Sequence, residues 1–192
     1  MASISLKNKS KSGNLTAPGD VDLGAMIPIA TTVVGAGGTG TITFNNIPSN
    51  YSHLQLRGIM RGNTQEIVRV YLNNDSAANW SAHMFYSAGS GAFGVNGVAS
   101  TGYYLTRSVG VSTGANIFTA LILDILDYTN TNKYKTAKNM YGWDANGTGF
   151  VGFESANWMS TAAVNRLDLV ANGYLFQQYS HFALYGIKMA GA

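Results

Sequence analysis

The chain has 192 residues, of which 46% are hydrophobic and only 11% are Asp, Glu, Lys or Arg. That length fits one large domain or one domain with a tail, and the apolar fraction is sufficient for a packed core. Charged residues are well below the roughly 25% of an average soluble domain, while the 23 glycines favour turns over helix interiors. This composition argues against a coiled coil, a helical bundle and a charge-rich disordered chain.

Charge and cysteine content narrow the classes of partner. The formal net charge is +3, and three of the twelve basic residues, Lys7, Lys9 and Lys11, lie near the N-terminus. A sequence-wide basic stripe for nucleic acid is absent, and the lack of cysteine excludes disulfides, zinc knuckles and thiol nucleophiles. The longest apolar run, 118–126, is far shorter than the ~20 residues of a membrane helix. We expect a soluble, non-secreted protein without a nucleic-acid or membrane partner.

The first 28 residues differ from the rest. They contain Pro18 and Pro28 and show no sustained periodicity, which predicts an extended arm rather than core or helix. Isolated apolar and basic side chains recur along the arm and are predicted to dock it on a neighbouring subunit or a scaffold protein: Ile4, Leu6, Lys7, Lys9, Lys11, Leu15, Leu23 and Met26. A solvated tail is the alternative.

From residue 29 onward, short apolar runs are separated by Gly, Asn, Ser and Thr, without a convincing helix. Alternation is clearest at 53–57 and 68–72, and is typical of an antiparallel sheet with one buried face. Eleven strands are predicted, at 29–34, 39–44, 53–61, 67–72, 80–86, 102–106, 117–128, 134–141, 149–154, 164–170 and 181–188. The pattern predicts a single all-β domain, 29–192, built as an antiparallel β-sandwich; the jelly roll is the commonest such fold at this length.

Two parts of this prediction depend on particular runs. Residues 160–172 also fit a helical stripe, but Leu167 and Leu169 alternate with polar neighbours, which favours a strand. The run 117–126 is apolar on both faces and therefore predicts a central strand at the heart of the sandwich. We expect a hairpin over 33–44, this central strand and the last strand, 182–187, to share one core.

Two motifs resemble catalytic loops but lack the necessary context. Residues 110–114 form G-x-S-x-G, yet a strand follows where a nucleophile elbow needs a helix, so a hairpin turn is predicted. Residues 35–40 are glycine-rich, but they lack the Lys-Ser/Thr ending of a phosphate loop and precede a strand, which predicts a hairpin loop. The protein is therefore not expected to be an enzyme, and a hydrolase is the weakest alternative.

Candidate metal ligands are scattered along the chain. The three histidines lie on different predicted strands, without the close ligand pair of most metal sites: His53, His83 and His181. Asp124 and Asp127 would point to opposite faces of a strand, which suits general acid–base catalysis poorly. Asp75 and Asp144 lie in turn-like sequence, where such side chains bond backbone N–H groups, and a calcium site is the less favoured alternative. No metal or cofactor is predicted.

Aromatic residues are plentiful, with eleven Tyr and three Trp. Each tryptophan stands beside Asn, Gly or Asp: Trp80, Trp143 and Trp158. Rings flanked by such side chains occur on sugar-binding surfaces, and also in subunit interfaces and sandwich cores. Core or interface placement is favoured, and contact with a glycan is the alternative for these three residues.

An ordered set of motifs extends over most of the chain. It begins with AMIPIATTVVGAGGTGTITFNNIPSNYSHLQLRGIMRG from Ala25 and continues through VYLNNDSAANWSAH (70–83) and ILDILDYTNTNKYKTAKNMYGWDANGTG (122–149). It ends with WMSTAAV (158–164) and HFALYGI (181–187). This order resembles a family of tailed-bacteriophage virion proteins of the tail-fibre, minor structural or head-decoration type found in marine and environmental phages. No catalytic residue is carried over from that family.

The resemblance implies a non-enzymatic virion structural protein, assembled in the host cytoplasm and docked on capsid or tail proteins. Low charge together with abundant aromatic and Met residues predicts a homo-oligomer with Tyr and Met at its contacts. The resemblance implies that this oligomer is a trimer. The alternative is a carbohydrate-binding, receptor-recognition module of a tail fibre that contacts a host surface glycan.

Overall fold

The computed structural model describes residues 8–9, 14–15, 26–89 and 91–188. Within these ranges the chain forms fifteen strands and one short 3-10 helix, at Val111–Thr113. The strands are β1 (Asn8–Lys9), β2 (Asn14–Leu15), β3 (Met26–Val33), β4 (Thr41–Phe44), β5 (His53–Gly62), β6 (Ile67–Leu72), β7 (Trp80–Ala88), β8 (Gly91–Ser100), β9 (Tyr103–Arg107), β10 (Val109–Gly110), β11 (Thr119–Leu126), β12 (Lys135–Asp144), β13 (Gly149–Trp158), β14 (Leu167–Ala171) and β15 (His181–Ile187).

Two sheets form the sandwich. The large sheet has the order β3-β15-β5-β11-β12-β13-β7-β8, with the short β10 pairing with β5 in parallel, and the small sheet has the order β4-β14-β6-β9. Neighbours along both of these orders are antiparallel, so the predicted antiparallel, all-β sandwich is confirmed. The finer prediction of a jelly roll is not confirmed, because the large sheet has nine strands and the small sheet four.

The core fills the space between the sheets with alternate residues of their strands. Leu121, Leu123 and Ile125 of β11 are buried, as are Phe182 and Leu184 of β15. The residues around the glycine-rich loop contribute to the same cluster: Val34, Ile42 and Phe44. The prediction that these three segments share one core is therefore confirmed.

The predicted hairpin over 33–44 is wrong. β3 lies at the edge of the large sheet and β4 at the edge of the small one, so the glycine-rich loop carries the chain from one sheet to the other. Gly38 has φ 68°, and a Cβ there would lie 2.8 Å from the carbonyl oxygen of Phe176. Glycine is required here because of this left-handed conformation and close approach.

Other boundaries show where local sequence misleads. No strand was expected over Gly91–Ser100, because its Gly, Ala and Asn residues have weak β-propensity, yet β8 pairs with β7 along its length. Between 160 and 172 the strand alternative is confirmed by β14. The 3-10 helix at Val111–Thr113 lies in the connection from β10 to β11, so the G-x-S-x-G motif is a turn but not a hairpin.

β11 is central in the large sheet, as predicted, but it is not buried on both faces. Thr119, Leu121, Leu123 and Ile125 face the core, whereas the alternate positions show at least partial exposure. Ile122 retains 39% of its surface. The second apolar face of this run therefore belongs to the outer surface of the large sheet.

Candidate interaction surface

An exposed apolar band crosses the outer face of the large sheet. Five large side chains form it, with exposed fractions of 39% to 60%: Phe85, Ile122, Met140, Val151 and Phe153. Monomeric soluble proteins rarely expose continuous apolar patches of this kind, and such patches mark sites of interaction. The apolar band is thus the strongest candidate for a functional surface among the described residues.

Strand register places the band's side chains side by side. Ile122 on β11 pairs with Met140 on β12, Met140 with Phe153 on β13, and Phe153 with Phe85 on β7. Val151 lies two residues from Phe153 on the same face of β13. Directly paired residues have Cβ atoms about 4.5–5.5 Å apart, so the band is continuous across four neighbouring strands.

A polar row borders the band on one side. Gln55 on β5, Asp124 on β11 and Lys138 on β12 are successive cross-strand partners, and the row continues through Ser155 to His83 on β7. The Gln55 side-chain amide donates to Asp124 Oδ1 at 2.7 Å, and Arg57 Nε donates to Gln55 Oε1 at 2.7 Å. An apolar centre with a polar border is the usual composition of a protein–protein interface.

A depression of about 850 Å³ lies beside the turn between β12 and β13. Its lining combines the rings of Trp143 and Phe150 with the polar side chains of Asp144, Thr148 and Ser87. Asp144 Oδ1 accepts a hydrogen bond of 2.9 Å from the Asn146 backbone N–H, and the Ala145 N–H donates to the Thr148 carbonyl at 2.7 Å. These bonds fix the turn that carries the carboxylate.

Of the three tryptophans considered as glycan contacts, only Trp143 lines this depression. Trp80 and Trp158 are 1% and 2% exposed and stack on each other with centroids 6.3 Å apart. The Trp158 indole N–H donates to Asp75 Oδ2 at 2.7 Å. The favoured core placement is therefore confirmed for Trp80 and Trp158, and the alternative of glycan contact is wrong for these two residues.

The predicted docking residues of the arm fall mostly outside the described residues: Ile4, Leu6, Lys7, Lys11 and Leu23. Lys9 and Leu15 lie in β1 and β2, which pair with each other antiparallel. Met26 begins β3, where it is the cross-strand partner of Ile187 in β15. The sheet therefore starts three residues earlier than the predicted domain boundary, and Pro28 lies in its edge strand, where a missing N–H is tolerated.

The titratable residues of the exposed loops serve local structure. Asp75 accepts bonds from the Asn79 side-chain amide and the Ala77 N–H, and these bonds lower its pKa. Lys133 pairs with Asp127 and lowers the pKa of that carboxyl. Within the described residues no group of three His, Asp or Glu side chains could hold a metal ion.

A polar cluster lies inside the core beneath the band. Glu154 is fully buried; its Oε2 accepts a 2.8 Å bond from the Tyr103 hydroxyl and a 3.4 Å bond from the Asn139 side-chain amide. Glu154 Oε1 and Asn139 Oδ1 are buried oxygen atoms that find no hydrogen-bond partner among the described residues. Burial raises the pKa of Glu154 to about 8, so the side chain is a neutral acid at neutral pH. Sequence reasoning missed this cluster, because nothing in the local pattern distinguishes Glu154 from a solvated glutamate.

The geometry thus defines an antiparallel sandwich with an apolar band on the outer surface of its large sheet. No protein-family model, curated protein or solved structure matches the chain. In the described ranges, no helix has the length and apolar character needed to cross a membrane.

Proposed function

We propose that the chain is a non-enzymatic structural protein of a bacteriophage particle, which associates with copies of itself and decorates or attaches to the capsid, tail or fibre. The apolar band carries this proposal: a β-sandwich that leaves five large apolar side chains exposed on one face is suited to assembly. The assignment to a virion comes from the resemblance in sequence. The expectation that the chain forms a trimer also comes from that resemblance, since no residue pattern specifies three copies.

Quantitative mass spectrometry of purified particles tests the proposed location. A decoration protein is expected at hundreds of copies per particle, and a tail or fibre component at about a dozen or fewer. Absence of the chain from particles that are otherwise complete would contradict a structural role.

Deletion of residues 1–24 tests whether the arm attaches the protein to the particle. Because β3 begins at Met26, the deletion removes no residue of the two sheets that form the sandwich. We therefore expect a cooperative thermal transition close to that of the full chain. Incorporation into particles is expected to fall to background. Normal incorporation of the truncated chain would show that the sandwich itself carries the docking surface.

Binding of a saccharide is a second candidate function, favoured by the depression beside Trp143. Its size lies within the range of small-ligand sites, and it combines aromatic rings with a carboxylate and two hydroxyl groups. Asp144→Asn is expected to weaken binding of neutral oligosaccharides at least tenfold in titration calorimetry, while Asp124→Asn on the outer face has no effect. If the native chain binds none of a broad panel of neutral oligosaccharides at millimolar concentration, this function is excluded.

A further inference from the structure

We propose that the apolar band binds the same band of a second copy of this chain, around a two-fold axis that runs parallel to β12 and β13 and lies between them. The inference rests on the proposed function, because it names the partner of that surface. Each face contributes the same residues, as in isologous dimers.

The area of the face is sufficient for a dimer. An axis between β12 and β13 places the four strands from β11 to β7 over the same four strands of the second copy; they span about 19 Å at ~4.8 Å per strand, and eight to ten residues per strand extend about 30 Å. The projected area is roughly 600 Å² per copy, or about 1,200 Å² for the two copies together, which is the lower end of the range for specific protein–protein interfaces. Two sheets in contact by such faces pack about 10 Å apart.

The order of side chains in the band is complementary to itself. Rotation about the proposed axis exchanges β12 with β13 and β11 with β7. Met140 then faces Phe153 of the second copy, and Ile122 faces Phe85. Every band residue of this row meets an apolar partner, and Met140 forms a favourable sulfur–aromatic contact with Phe153 of the second copy.

The charges of the polar row beside the apolar band are compatible with a second copy of the chain as the partner. The same rotation places Asp124 opposite His83 and Lys138 opposite Ser155, so no like charges meet. The arm is a poorer occupant, because its Lys7, Lys9 and Lys11 require an acidic surface, whereas this row contains one acid and one lysine. A face with so little net charge suits a partner with the same composition.

Cross-linking of introduced cysteines tests the proposed geometry, because the chain has none of its own. A mixture of Ile122→Cys and Phe85→Cys chains is expected to give a two-chain product with a short bismaleimide. Either variant alone is expected to give little product. In a dimer of two identical variant chains, the cysteine of one copy and that of the other are separated by three strand spacings, about 14 Å, across the sheet, in addition to the gap between the sheets. Equal yields from the single variants and the mixture would overturn this axis.

A double variant, Met140→Thr with Phe153→Thr, is expected to raise the Kd of self-association about 100-fold, as for loss of central interface residues. Val33→Thr is the matched control, because Val33 is 66% exposed but lies on the edge strand outside the band. If the native chain forms an oligomer, such as a trimer, and the double variant forms the same oligomer, the pairing of the two bands is overturned. The proposed self-association would stand in that case. A native chain that is monomeric at high micromolar concentration would overturn both.

Discussion

Replacement of Leu123 by Asp is expected to abolish folding. Leu123 has no exposed surface and lies on β11, between β5 and β12, where its side chain faces the small sheet. Leu123 belongs to the cluster of buried hydrophobic residues. An unpaired carboxylate buried there lowers the free energy of unfolding by several kcal/mol. That is a large fraction of the ~5–15 kcal/mol that stabilises a typical domain. Loss of the cooperative thermal transition by circular dichroism is the expected result.

Ile122→Asp is the matched control for this prediction. Ile122 is the next residue of the same strand, but it lies on the outer face and is 39% exposed. The same substitution there should leave a cooperatively folded chain and affect only association. A soluble Leu123→Asp chain that melts cooperatively would show that the core has been placed wrongly.

Glu154→Gln is expected to remove most of the loss of stability that the native chain shows as the pH rises. An unfolded glutamate ionises near pH 4.5, whereas burial raises the pKa of Glu154 in the folded chain to about 8. Between these values the folded state holds a proton that the unfolded state has released, so the free energy of unfolding falls with pH. The stabilising contribution of the proton is present in full below pH 4.5, falls by at most about 1.4 kcal/mol per pH unit, and is lost above pH 8.

Urea denaturation at pH 5 and pH 8.5 measures this difference. The amide introduced by Glu154→Gln does not ionise, so the stability of the variant relative to the native chain should be higher at pH 8.5 than at pH 5. Glu66→Gln, at an exposed glutamate, is the matched control, because it also replaces one carboxyl group by an amide. A native chain and a Glu154→Gln chain with equal pH dependence would contradict a protonated Glu154.

Most of the fold follows from alternation in the sequence, because one buried face imposes a period of two on each strand. β6 was predicted with its observed bounds, and β5 and β15 within one residue at each end. β8 was missed, since pairing with β7 rather than its own propensity holds it in the sheet. The sheet change at 33–44 was also missed, because a glycine-rich loop has the same composition whether it closes a hairpin or crosses between sheets.

Part of the apolar band has a signal in the sequence, but that signal predicts burial in the core and not exposure on the outer face. The run 117–126 is mostly apolar on both of its faces, which predicts burial on both. The small sheet covers only one face of β11, so the remaining apolar positions are exposed. Met140 and Phe153 carried no such signal, because isolated apolar residues among polar neighbours are common on protein surfaces. Only the register of the strands brings them into one band.

The molar mass of the full chain, measured by light scattering across micromolar concentrations, distinguishes a self-associating chain from a monomer. We expect a concentration-dependent rise above the 20.4 kDa of one chain, to twice that mass if the two bands pair. The trimer implied by the resemblance would instead give three times that mass. A mass of 20.4 kDa at every concentration would contradict self-association of the chain.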